Sequence, residues 1–292
     1  MHLLVDLHLH TSCSDGTMTP EQLVAHACAR GLVQIAVTDH DTTAGIAAAR
    51  RAAAGHIAFV PGVEITTCEE LFLPNEAPFS VHILGYGIRE DAPGLNRPLE
   101  RRAVRMRALF ESLCADLRGA GLPVRIEDVP IRCSRLMQLS DVQQYAETLC
   151  RSAQERCTVS DLSARYSARL SAANLTSAEA VEAIRSAGGQ AVWAHPFHIY
   201  RSFQKRILSE ASVAGAVPVL KERGAEGLEA DYLSFSLAQR EFLHGIAARS
   251  ALFTIAGADF HGFAGRDGMG VEVPALFSFG AAEPAHHTAC GV

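Results

Sequence analysis

The sequence predicts an α/β protein organised around a largely parallel, barrel-like sheet. Three observations carry that expectation. Apolar runs of strand length alternate with helical patterns along most of the 292 residues, as they do in βα units. The alternation lapses between about Asn96 and Ala173, where helical patterns rich in Arg, Leu and Ala take over. Strand after strand ends in a histidine or a carboxylate, which is where a barrel places its chemistry.

The first apolar run, Leu3 to Leu9, ends in His8 and His10. Residues i and i+2 of a strand share a side, so the two imidazoles project together. Asp15 follows on the turn Ser14-Asp15-Gly16, and this chelate suits a borderline divalent metal. A His-x-His pair alone can be a surface accident, so the rest of the chain has to decide.

Thr19-Pro20-Glu21-Gln22 opens a helix that runs to Gly31, with a cap residue and Pro at the first helical position. Val33 to Thr38 reads as a buried strand leading into Asp39-His40-Asp41. An alanine-rich helix from Thr43 to Ala54 closes at Gly55, and Ile57 to Glu64 is the third strand, with Glu64 at its carboxyl end. Ser80 to Tyr86, with His82 inside it, is the fourth. A single buried histidine is usually a core residue with satisfied hydrogen bonds, and His82 by itself would be read so.

Residues 96–175 read as a helical insertion, broken at Gly119 to Pro123 and around Pro130. Arg97, Arg101 and Arg105 line one side of its first helix, with Arg102 and Arg107 nearby and Leu99, Val104, Met106 and Phe110 as apolar contacts. A solvated face is the expectation there, against a short guide for an oligonucleotide. Barrel units occupy 1–95 and 176–280. The second opens on the capping box Thr176 to Glu179, followed by a strand, Gln190 to Ala194, ending at His195. A helix over Ser202 to Ala214, a strand over Gly227 to Tyr232, a helix over Ser236 to Arg249 and a last strand, Ala251 to Gly257, lead into Asp259 and His261. The tail 281–292 has little to pack and is expected to be loose.

The net charge of −6 gives no global footprint for double-stranded DNA. Eight cysteines without a C-x-x-C pair read as reduced thiols. No signal-like segment and no apolar run of membrane-spanning length occurs, so a cytoplasmic protein without a membrane partner is expected.

Asp6-Leu7-His8-Leu9-His10, Thr38-Asp39-His40-Asp41, Gly62-Val63-Glu64, Ala194-His195-Pro196 and Asp259-Phe260-His261 resemble, in order and over most of the chain, the motifs of the PHP (polymerase and histidinol phosphatase) superfamily. Ser14-Asp15-Gly16 is similar to the turn of its bacterial metal-dependent phosphoesterases, which include 3′,5′-nucleoside bisphosphate phosphatases and oligoribonucleotide exonucleases. The resemblance implies a distorted (β/α)7 TIM-like barrel and a trinuclear site. One metal would take His8, His10, Glu64 and Asp259, a second Asp15, His40 and His261, and a third Glu64, His82 and His195, with Glu64 bridging two ions. Nitrogen and oxygen donors without a thiolate suit two to three Mn, Zn or Fe ions. Such ions would generate a metal hydroxide for attack at phosphorus, with Glu64, Asp259, His195 and Arg135 as the catalytic set. Asp6, Asp39 and Asp41 flank ligands and either fix imidazole tautomers or cap turns.

The sequence departs from the family around the substrate. Ser134-Arg135-Leu136-Met137 keeps an Arg but lacks the following Thr-His, His195-Pro196-Phe197-His198 stands where Gly-Arg would follow the Pro, and Ser234-Phe235-Ser236 replaces Ser-His-Ser. Arg135 is the candidate phosphate clamp, with His198 and Arg201 as further substrate contacts. The expected activity is hydrolysis of a phosphomonoester, with a nucleotide such as a 3′,5′-bisphosphate or short single-stranded RNA as substrate. Histidinol-phosphate phosphatase and a non-catalytic metal- or nucleotide-binding protein are the alternatives. Hydrolysis of a carbon-nitrogen bond ranks last, because no lysine follows a strand in a bridging role.

Overall fold

The computed structural model describes residues 2–131, 137–201, 204–263 and 268–279. Its elements in chain order are β1 (Leu3–Leu9), α1 (Pro20–Ala29), β2 (Gln34–Val37), α2 (Ile46–Ala53), β3 (Ala58–Thr66), β4 (His82–Tyr86), α3 (Pro93–Gly119), a 3-10 turn (Ile126–Asp128), α4 (Leu139–Leu149), α5 (Ala153–Ala172) and α6 (Ser177–Ser186). Then come β5 (Gln190–Trp193), β6 (His198–Arg201), β7 (Gln204–Ile207), α7 (Glu210–Glu222), β8 (Gly227–Tyr232), α8 (Leu237–Arg249), β9 (Phe253–Gly257) and β10 (Val271–Val273).

The main sheet runs β10-β1-β2-β3-β4-β5-β8-β9. Beyond the end of β9 the chain returns to β1: Leu9 pairs in parallel with Phe260, and the His10 N–H donates to the Phe260 carbonyl at 2.9 Å. The sheet is therefore nearly a closed barrel, and the chain is α/β as expected. Its filling is a cluster drawn from facing strands, namely Leu7, Ala36, Val60, Leu84, Tyr86, Val192, Ala194 and Ile255. A break in the β1–β2 register between Asp6 and Leu9 lets Leu7 join this layer while His8 and His10 turn to the mouth, as a bulge re-aims side chains.

Two expectations are corrected. β4 is antiparallel to both β3 and β5, with Thr66 opposite His82 and Ile83 opposite Trp193. The chain between β3 and β4 contains no helix and folds back on itself through the Leu71–Phe79 bridge. Without a crossover helix the next strand returns antiparallel. His82 thus reaches the mouth from the amino end of its strand. The second correction concerns 202–214: β6 and β7 form an antiparallel hairpin, and the helix begins only at Glu210, where the Ser209 side chain accepts from the Ser212 N–H. Alternation through Ile199 and Tyr200 suits a strand better than a helix.

The other helix starts follow their capping chemistry. α1 and α6 open on the Thr19/Gln22 and Thr176/Glu179 capping boxes. α3, α4 and α5 share a hydrophobic cluster of their own that includes Phe110, Leu113, Leu117, Val142, Leu162 and Tyr166. Val104, an expected apolar contact of α3, is exposed. Arg97, Arg101, Arg105 and Arg107 are exposed, as a solvated face requires. Arg102 differs: its guanidinium pairs with Asp41 Oδ2 at 2.9 Å and donates to Asn174 Oδ1, tying α3 to the turn after β2. No described helix is long and apolar enough to cross a membrane.

Candidate metal centre

The turn after β1 is shaped by Asp39. Its carboxylate accepts from the Thr11 N–H, the Thr11 hydroxyl and the Ser14 hydroxyl, each at 2.7 Å. Gly16 packs so tightly that a Cβ there would fall 2.2 Å from the His10 carbonyl oxygen. Together these contacts fold Asp15 back over His10. Asp6 braces the far side, accepting backbone N–H groups from His8, Ala258 and Gly270. Asp41 accepts the Thr66 N–H and the Arg102 pair. All three aspartates therefore hold loops, and among the described residues none is bonded to an imidazole.

What these loops bring together is one buried cage. The Nε2 atoms of His8 and His10 each lie 3.1 Å from Glu64 Oε2, and 3.5 and 3.2 Å from Asp259 Oδ1. On the other Glu64 oxygen, His82 Nδ1 sits at 2.8 Å and His195 Nε2 at 3.2 Å. Asp15 gathers His261 at 3.3 Å and His40 at 3.8 Å, with His10 Nδ1 at 3.6 Å. Ligand atoms of three groups lie within 4.8 Å of one another: His8, His10, Glu64 and Asp259; His10, Asp15, His40 and His261; and His40, Glu64 and His82. His195 contacts Glu64 but is not a member of the third group, which takes His40 instead. Three of the turns carry non-glycine residues at positive φ, namely Asp41 (55°), His195 (31°) and Asp259 (56°), a conformation that concentrates at functional sites.

The cage suits a cation. His8 Nε2, both ring nitrogens of His10 and Glu64 Oε2 are buried without a hydrogen-bond partner among the described residues. Orphaned buried polar atoms cost about 1–3 kcal/mol each, and here their lone pairs converge. Burial works against charge on Glu64, yet His40, His8 and His82 hold its carboxyl well below the usual range. Burial likewise opposes charge on His10, but Asp259, Glu64 and Asp15 lift it to about 10. In the metal-free protein, protons occupy the place that hard and borderline cations take in such donor sets.

The expected substrate contacts are less uniform. The His198 backbone carbonyl, rather than its ring, faces His195 Nδ1 at 3.0 Å. The ring itself lies against Tyr232 and Phe235. Burial, Lys205 and His195 push its pKa down to about 4, so at neutral pH it offers a neutral imidazole. Arg201 is exposed at the end of β6, and Arg135 lies outside the described residues.

Three residues near the ligands were missed. Tyr200 stacks on His82, centroids 4.6 Å apart. Tyr232 donates its hydroxyl to Asp259 Oδ2. Glu229, fully buried, meets His8 Nδ1 at 2.9 Å and accepts the His195 N–H at 2.6 Å. The available signal was a lone glutamate inside the apolar run of β8.

A nearly closed barrel whose mouth gathers imidazoles and carboxylates around a shared glutamate is the framework of a metal-dependent hydrolase. Comparison with known proteins places it more closely. The family model for the PHP domain matches residues 6–152. A phosphoribosyl 1,2-cyclic phosphate 1,2-diphosphodiesterase of Eggerthella lenta is 30% identical, covering 94% of this chain and all of that one. A 3′,5′-nucleoside bisphosphate phosphatase of Chromobacterium violaceum is 31% identical over 90% of each chain. The 5′-3′ exoribonuclease Rnm of Escherichia coli is 28% identical, over 89% of this chain and 85% of its own. Among solved structures, a Bifidobacterium adolescentis chain described as a metal-dependent phosphoesterase superposes with a TM-score of 0.61 at 26% identity, covering 91% of this chain and 90% of that one. The chain belongs to the PHP family, and it is a metal-dependent phosphoesterase.

Proposed function

We propose that the protein hydrolyses a phosphomonoester carried by a nucleotide, a 3′,5′-bisphosphate or a short oligoribonucleotide, at two to three divalent ions of Mn, Zn or Fe. The observation that carries this reading is Glu64, whose Oε2 faces His8, His10 and His40 and whose Oε1 faces His82 and His195. His8, His10, Glu64 and Asp259 would hold one ion, Glu64, His82 and His195 a second, and Asp15, His40 and His261 a third. Ions held by these residues would supply Lewis acidity for activating water and offsetting charge at phosphorus.

The chain's own residues do the rest. Asp39 and Gly16 hold the Asp15 turn over His10, and the Tyr232 hydroxyl fixes the carboxylate of Asp259. Tyr232 is buried edge-on against His195, while the half-buried Tyr200 stacks on His82 and is the aromatic ring within reach of a nucleobase. Arg135, on its sequence motif, is the proposed phosphate clamp, joined by the neutral His198 and the exposed Arg201. The named activities of the relatives support a small phosphorylated substrate, and the Eggerthella lenta likeness makes a cyclic phosphodiester the second reading.

The test is phosphate release, with loss of the cyclic ester followed in parallel, by Mn²⁺-loaded protein. The panel is a nucleoside 3′,5′-bisphosphate, a mononucleotide, short single-stranded RNA, a ribose 1,2-cyclic phosphate and histidinol phosphate. Preference for the bisphosphate or RNA is expected. Preference for the cyclic ester establishes the second reading, and preference for histidinol phosphate overturns the nucleotide assignment.

A further inference from the structure

We infer that Glu229 is a positioning residue that sets the tautomer of His8 and the backbone of His195 together, so that two sides of the cage around Glu64 assemble as one unit. The inference rests on the metal-site reading above. Glu229 lies on β8, a strand that contributes no ligand, and its carboxylate is fully buried. A buried carboxylate is tolerated only where hydrogen bonds replace its water. Here Oε1 meets His8 Nδ1 at 2.9 Å and Oε2 accepts the His195 N–H at 2.6 Å. Both bonds go to proposed ligands, from β1 and from the turn after β5.

Each bond has a consequence for coordination. An imidazole that donates Nδ1–H to Glu229 presents the lone pair of Nε2 to Glu64 and Asp259, the atoms 3.1 and 3.5 Å away. The partner on the far nitrogen of a ligating histidine fixes which nitrogen binds metal. At His195, the backbone stands at φ 31°, a conformation that needs external support. The carboxylate supplies that support directly on its N–H. The neighbouring strand makes room, because a Cβ on Gly257 would fall 2.5 Å from both Glu229 Oε1 and His8 Cβ.

Glu229→Gln keeps the shape but removes the symmetry of the bridge. If its amide oxygen serves His195, its NH2 faces His8 Nδ1 and drives the proton to Nε2. If the oxygen serves His8 instead, donor meets donor at His195. The experiment is Mn²⁺ titration of the metal-free full chain by calorimetry, for wild type and Glu229→Gln, with folding checked by circular dichroism. Nitrogen-15 spectra of the Zn²⁺-loaded proteins report the His8 tautomer.

The expected result is ~10–100-fold weaker binding at the ions that use His8 and His195, unchanged binding at the Asp15, His40 and His261 set, and His8 protonated at Nδ1 in wild type. Gly257→Ala, which keeps the carboxylate but displaces it, is expected to weaken the same ions. Wild-type affinity in a folded Glu229→Gln protein, or His8 protonated at Nε2 in the loaded wild type, overturns the inference while leaving the metal site standing. A wild type that binds no Mn²⁺ overturns the metal-site reading and this inference together.

Discussion

At the scale of the residue, the site depends on Glu64. Its carboxylate is fully buried and meets His8, His10 and His40 through one oxygen and His82 and His195 through the other. Glu64→Gln would set an NH2 against one of those sets, so ions on both sides are expected to weaken. We expect turnover to fall by more than about 100-fold, with metal content lowered and the melting temperature of the metal-free protein little changed. Near-normal turnover with full metal content would remove Glu64 from its proposed bridging role. The Glu64 position was legible in the sequence because a charged residue closes an apolar strand. The contribution of residue 198 was not, since what it gives His195 is a backbone carbonyl, and any side chain would leave that carbonyl in place.

At the scale of the element, the cage is made by turns. Gly16 permits the turn that folds Asp15 over His10, and Gly16→Ala would drive a Cβ into the His10 carbonyl. Loss of the ion proposed for Asp15, His40 and His261, with those proposed at Glu64 retained, is the expected outcome in metal analysis of the purified variant. Equal metal content in variant and wild type would show that the turn tolerates the change. A second joint is the partly buried pair of Arg102 with Asp41. Arg102→Ala leaves Asp41 with an uncompensated charge and Asn174 without its donor, a loss of about 2–4 kcal/mol to be read by urea unfolding; unchanged stability would make the joint dispensable. The five arginines of this segment read alike in sequence, three of them at helical spacing, and only the contacts with Asp41 and Asn174 distinguish Arg102 from its exposed neighbours. The direction of β4 was hidden for a similar reason: an apolar run does not say which way it runs, and the informative feature was the missing helix before it.

At the scale of the whole molecule, the barrel was legible from alternation, and the gathering of histidines and carboxylates at its mouth from their placement at strand ends. The hairpin of β6 and β7 pairs residues close in sequence and its alternation was there to be read, whereas the partners of the Glu229 carboxylate lie far away in the chain, so local pattern could not supply them. The assembled cage also makes the protein's stability depend on pH. For His10, whose pKa rises from 6.5 to about 10 on folding, the stabilisation is present below about pH 6.5 and is lost as pH rises through about 10. For Glu64 and Asp259, held below 4.5 and 3.8, it is present above those values and is lost as pH falls below them. Metal-free protein should therefore lose melting temperature between pH 7 and 10, and a bound ion should displace protons and flatten that loss. A metal-free protein with equal melting temperatures at pH 7 and pH 10 would contradict this charge balance.

The most direct test of a metal-dependent phosphoesterase centred on Glu64 is reconstitution. Chelator-stripped protein is titrated with Mn²⁺ while ions bound per chain and phosphate release from a nucleoside 3′,5′-bisphosphate are measured on the same sample. No release is expected without metal, and activity is expected to rise with occupancy to two or three ions per chain. Full activity in the stripped protein, or filled sites with no hydrolysis of any phosphate ester tried, would contradict it.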